Sequence, residues 1–154
     1  MKKKEKGFVF KYNAVIKRID NRTGIVLDEE KIHNLVVNDG LNLVRNWMAG
    51  DAVDNPTAIA IGEGAVAPAN GDTALGNEST RASATVTKPE AYKVKYEKVF
   101  TFGSGESYTI TEAGLFDSAV ESGSTMFNRL TFSGKGVDAD TDLSISITIT
   151  VARP

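Results

Sequence analysis

Three stretches of the chain alternate apolar and polar residues, and each predicts a strand. From position 8 to 19, Phe8, Phe10, Tyr12, Ala14 and Ile16 share one parity, the period-two pattern of a half-buried strand. Asp20, Asn21, Arg22, Thr23 and Gly24 follow; Asn, Asp and Gly tolerate the backbone angles of a tight turn. Residues 25–27 and 31–37 then read as the returning strand or strands of a hairpin. Further on, Tyr92, Val94, Tyr96, Phe100 and Phe102 oppose Lys93, Lys95, Glu97 and Thr101. The cleanest case is the last: Leu143, Ile145, Ile147, Ile149 and Val151 alternate with Ser144, Ser146, Thr148 and Thr150. β-branched residues suit a pleated surface on both faces.

The pattern changes once, after Asn38, Asp39 and Gly40. Leu41, Val44, Trp47 and Met48 fall at helical spacing, predicting a short α-helix near 39–49 with Asn38 or Asp39 as its cap and Gly50 just past its end. Trp47 reads as a core residue on that stripe rather than as a platform for a ligand. Residues 57–62 form a strand of small residues. A connection from 63 to about 80 follows, rich in Gly, Ala, Pro and Asn, with a single helical turn expected at Asp72, Thr73, Ala74 and Leu75. A loop of this length in a compact domain is usually functional or interfacial. Strands are also expected at 81–87, around Tyr108 and Ile110, around Leu115 and Phe116, and from 126 to 132. About eight strands separated by turns rather than helices argue for an antiparallel β-sandwich, jelly-roll-like, in a single domain over 8–154.

Composition narrows the chemistry. The chain has 154 residues, 18 Lys and Arg against 20 Asp and Glu, a net charge of −2 and no cysteine. Disulfides, thiolate metal sites and cysteine nucleophiles are excluded, and no overall field draws nucleic acid. Lys2, Lys3, Lys4 and Lys6 make residues 1–7 a basic tip, expected to be a flexible solvated tail. No apolar stretch reaches the ~20 residues of a membrane helix, and no signal-peptide core follows the lysines, so membrane insertion is not expected and synthesis in the cytoplasm is.

Candidate chemistry is sparse. His33 has no histidine partner, and no Gly-x-Ser-x-Gly elbow accompanies it, so a hydrogen-bonded structural role is expected. Gly62, Glu63 and Gly64 lack the third glycine and the following helix of a phosphate loop. Asp138, Asp140 and Asp142 are spaced like the first calcium ligands of an EF-hand, but Leu143 and Ile149 stand where glycine and glutamate are required. A looser calcium site there is the alternative to a solvated acidic turn. Glu90, Glu97, Glu106 and Glu112 offer no distinguished catalytic pair. Lys93, Lys95 and Lys98 interleave with Tyr92, Tyr96 and Phe100, which reads as a solvent face and a core face rather than a nucleic-acid platform. Neither a cofactor nor an enzymatic activity is expected.

Several motifs carry a resemblance. HNLVVNDGL at 33–41 runs into the short helix, AIAIGEG at 58–64 is followed by APANGDTALGNE at 67–78, and ITEAGLFD at 110–117 precedes TMFNR at 125–129 and the alternating last strand. In order and spacing this resembles small tail-fibre-like virion proteins of tailed phages and prophages. The resemblance implies a non-catalytic β-sandwich in a multimeric particle, contacting other virion proteins and its own copies, with a trimer one form to test. A tail-fibre, baseplate, collar or capsid-surface place, including capsid decoration, is compatible, and a module binding a host-surface glycan or receptor is the alternative. Glu63, Pro68, Asn70, Asp72 and Asn77 on the long loop, with Gly114 where a backbone could approach closely, are the interface candidates.

Overall fold

A computed structural model describes residue 7 and residues 9–153. The basic tip at Lys2, Lys3, Lys4 and Lys6 lies outside the described residues, as does Phe8. In chain order the elements are β1 (Val9–Asp20), β2 (Val26–Ile32), β3 (Leu35–Val36), α1 (Asn38–Ala49), β4 (Ala58–Gly62), β5 (Glu78–Ser83), β6 (Thr85–Thr87), β7 (Lys93–Phe100), β8 (Ser107–Phe116), β9 (Met126–Asp138) and β10 (Thr141–Ala152). They form two five-stranded antiparallel sheets. The first has the order β2-β1-β10-β7-β6 and the second β3-β9-β8-β4-β5. This is the expected β-sandwich with one short helix. No described helix is long and apolar enough to cross a membrane.

The core lies between the sheets. Ala14 and Ile16 of β1, Tyr96 and Phe100 of β7, and Leu143, Ile145, Ile147 and Ile149 of β10 face Ile59 and Ile61 of β4, Ile110 and Leu115 of β8, and Phe127 and Leu130 of β9. Each fully buried large side chain contributes about 1.5–3 kcal/mol. Where this core runs out, an ionic clip joins the sheets. Lys135 of β9 reaches Asp28 at 3.1 Å and Glu30 at 2.9 Å, both on β2.

Two expected strands are split. The stretch 31–37 divides between β2 in the first sheet and β3 in the second, and 81–87 divides at Ala84, whose N–H donates to the Thr57 carbonyl at 2.8 Å. A chain that changes sheets keeps its alternation on each side of the crossing, so parity alone does not reveal the break.

The helix differs from expectation in two details. Val37, not Asn38 or Asp39, is the N-cap, and no side chain caps it. The Asn38 N–H instead donates to the Asn70 carbonyl at 2.7 Å. Gly50 does end the helix in the left-handed region at φ 83°, its N–H shared by the Asn46 and Trp47 carbonyls. The buried stripe is also rotated. Leu43 is buried and Trp47 half-buried, stacked on Phe127 at 6.2 Å, whereas Leu41 and Met48 are exposed. Gly40 explains the rotation: any side chain there would collide with the Phe127 carbonyl, so the helix meets β9 through its 40–43–47 face.

Candidate functional site

The two sheets differ on their outer faces, and the second carries the unusual chemistry. A register shift in β8 between Ile110 and Glu112 creates it. Ile110, Ala113 and Leu115 all join the central core, which requires a change of parity at Thr111. A one-residue slip of this kind turns the following side chains to the opposite face. Glu112, Gly114 and Phe116 therefore point outward, and the loop at 63–77 closes over them.

Glu112 is fully buried. Its carboxylate accepts backbone N–H bonds from Gly64 at 2.9 Å, Gly76 at 2.9 Å and Asn77 at 2.8 Å. It also accepts from Arg129 Nε at 3.1 Å and Nη2 at 2.8 Å. Arg129, 3% exposed, donates in addition to Asp72 at 2.8 Å and to the Val66 carbonyl at 3.0 Å. A buried carboxylate and guanidinium thus hold both ends and the middle of the loop. Burial pulls the Glu112 carboxyl upward, but the Asn77 and Gly76 amides, the Arg129 guanidinium and the Gly64 amide outweigh it and hold it below the usual range. The Ala69 amide, opposed by burial and reinforced by Arg129, lowers Asp72 as well.

The loop's own sequence fits this seat. Side chains added at Gly62 or Gly64 would strike the Asn77 carbonyl or the Glu112 carboxylate. Thr111 Oγ1 donates to the Gly64 carbonyl at 2.8 Å, and Glu63 Oε1 accepts from the Thr109 amide at 2.8 Å. Leu75 inserts with Val37, Ala60, Phe116 and Met126 into a second apolar cluster. No helical turn forms at 72–75, contrary to expectation. Asp72 closes a turn with Ala69 instead, accepting its amide at 2.9 Å and donating its own to the Ala69 carbonyl at 3.1 Å. Beside Leu75, Arg81 lies 3.8 Å over the Phe116 ring and forms a two-bond pair with Glu78, both at 2.8 Å.

The interface candidates now have definite places. Asp72 and Asn77 belong to the latch, Glu63 is tied to β8, and Asn70 offers its carbonyl to the helix start. Pro68 is half-buried. Gly114 is paired with Ala60 and Arg129, and its closest surroundings are Asn128, Phe116 and Leu75 of its own chain. Glu112 and Arg129 were missed as site residues, although both stand in the motifs that carry the resemblance. Strand pattern gives little signal for either: Glu112 shares β8 with Ser107, Thr109 and Thr111, and Arg129 shares β9 with Lys135 and Asp138.

The remaining candidates stand apart. His33 is exposed, with Nδ1 3.3 Å from the Tyr12 carbonyl. Asp138, Asp140 and Asp142 lie at the turn between β9 and β10. Asp138 accepts the Asp140 amide at 3.0 Å and Asp142 the Asn21 side chain at 3.4 Å. Among the described residues no three such side chains gather as a metal ion requires. Glu90 pairs with Lys93, Glu97 with Lys95, and Glu106 accepts the Gly103 amide, so the four carboxylates considered as catalytic sit in separate places. Tyr96 and Phe100 are buried, but Tyr92 is 80% exposed at φ 67°, off the face that parity gives it.

Compared with models of protein families, with curated proteins and with solved structures, the chain matches none.

Proposed function

We propose that this chain is a non-enzymatic structural component of a tailed-phage virion, made in the host cytoplasm, that acts by self-assembly and by contacts with other virion proteins. One observation carries the reading. The motifs behind the resemblance are scattered from 33 to 129, yet they meet at one structural unit. AIAIGEG supplies the glycine seats, ANGDTALGNE the loop, ITEAGLFD the carboxylate and TMFNR the guanidinium. HNLVVNDGL supplies the helix start that Asn70 holds. Motifs that fold as one object are more specific together than five short strings taken singly.

Exposed apolar groups supply contact surface. Ile25, Val26 and Leu27 lie at the edge strand β2, and Leu41 and Met48 on the helix. Edge strands with apolar side chains favour pairing with another chain. Light scattering after size-exclusion chromatography, with mass spectrometry of purified particles, tests the proposal. An oligomer, with a trimer the first form to look for, and a match to a particle protein are expected. A stable monomer absent from every particle fraction defeats it.

A further inference from the structure

The first sheet ends in a corner where Tyr92 meets the last residues of β10. Tyr92 precedes β7 in the left-handed region at φ 67°, a conformation that costs a non-glycine residue about 1–3 kcal/mol and that clusters at functional sites. The kink is held by a hydrogen bond from the Val151 amide to the Tyr92 carbonyl at 2.8 Å. The result is an aromatic ring left 80% exposed. It lines a groove of about 510 Å³ with Thr150, Val151, Ala152 and Arg153.

Register fixes the groove's neighbours. Thr150 pairs directly with Lys11 of β1 on one side and with Lys93 of β7 on the other. One step along, Thr148 pairs with Asn13 and Lys95. Directly paired residues share a face and stand about 4.8 Å apart, so Thr150 lies between two lysines and Thr148 between Asn13 and Lys95. Lys93 is engaged by Glu90 at 2.8 Å, and Lys95 is engaged by Glu97. Lys11, Lys93, Lys95 and Arg153 thus face two carboxylates, a local surplus of positive charge on a chain whose net charge is −2.

We propose that this corner is a binding site for an acidic saccharide, a sugar ring bearing a carboxylate or a phosphate. The exposed phenol ring offers an apolar face to the C–H side of a pyranose and a hydroxyl to its rim. Thr148, Thr150 and Asn13 supply the short polar groups that exchange hydrogen bonds with sugar hydroxyls. The lysines and Arg153 meet the anion, where charge-assisted bonds are the stronger kind. Nucleic acid fits less well, because a single exposed aromatic gives no succession of stacking platforms. The site stands on this geometry alone and holds whether or not the chain is a virion component.

The test is a titration of the full chain with sialyllactose, a mannose phosphate and lactose, followed by amide chemical shifts. At least one acidic sugar should move the resonances of Tyr92, Lys93 and residues 150–153, and which one moves them tells carboxylate from phosphate. Lactose should bind about tenfold more weakly or not at all, and added salt should weaken the acidic sugar. Tyr92→Gly relieves the kink, so its melting temperature should rise while the acidic sugar loses about tenfold in affinity. Lys93→Gln combined with Lys95→Gln should erase the preference over lactose. Shifts located elsewhere, no shifts with any of the three sugars, equal binding of lactose, or unchanged binding in Tyr92→Gly would overturn the proposal. So would tighter binding of a single-stranded oligothymidylate, which would make the corner a nucleic-acid surface.

Discussion

The two sheets share a core and differ in what lies on their outer faces. In β10 of the first sheet, buried isoleucines alternate with partly exposed serines and threonines. One side is core and the other is an open lawn of short hydroxyls. In the second sheet, all five residues of β4 and the last five of β8 are buried. Its outer face lies beneath the 63–77 loop, with an ion pair at one end and Leu75 at the other. An antiparallel sheet normally solvates one side. Here that rule holds for one sheet and is set aside in the other by a single bulge that turns a glutamate outward under a loop.

The sharpest way to break this contrast is Glu112→Ala. It leaves the Arg129 guanidinium buried without its main partner and three loop amides without an acceptor. Removing one member of a buried pair costs about 3–5 kcal/mol. Chemical denaturation should show that loss, and hydrogen exchange should show Gly64, Gly76 and Asn77 losing protection before the first sheet does. A loss under 1 kcal/mol with the three amides still protected would mean that the latch does not hold the roof.

Leu75→Ala attacks the other end of the roof. Truncating a buried leucine costs about 2–4 kcal/mol, read from the same denaturation curves. Arg129 and Glu112 are untouched, so Gly76 and Asn77 should remain more protected than in Glu112→Ala. Acid is a milder probe. Glu112 and Asp72 are both held below their ordinary values of 4.5 and 3.8. A carboxyl depressed in the folded state adds stability above its unfolded value and loses it as pH falls through the folded one. Stability should therefore be flat from neutrality to about pH 5 and decline below it. Glu112→Gln should flatten that decline, measured as melting temperature against pH.

The sequence made the first sheet readable and the second only in part. β10 was legible because one apolar face and one hydroxyl face give an unbroken period of two. The helix end was legible because only glycine sits comfortably at the φ of Gly50. Glu112 was not, because counting by twos puts it beside Ile110 in the core, and the bulge at Thr111 leaves no mark in composition. Its partner Arg129 comes 17 positions later, so no local spacing joins them. Tyr92 was hidden for a related reason. Parity assigns it to the buried face with Tyr96, and aromatic residues seldom adopt positive φ. In both places a backbone irregularity of one residue decided the outcome.

The finest test places the same side chain on both outer faces. Ala60 and Ser146 lie on interior strands, and both point away from the central core. Ala60 is fully buried beneath Leu75; Ser146 sits between Val15 and Glu97 on the open face. Valine at position 60 must push against the loop, and overpacking of this kind costs about 1–3 kcal/mol. Ser146→Val meets only solvent and flanking side chains, and valine suits a strand, so isolated-chain stability should change by less than about 0.5 kcal/mol. The small effect is the informative one. If Ser146→Val leaves the isolated chain intact but blocks its association, the open face is where a second copy packs. If the chain self-associates and Ser146→Val leaves that unchanged as well, Leu27→Lys at the β2 edge and Met48→Lys on α1 test the two exposed apolar surfaces in turn.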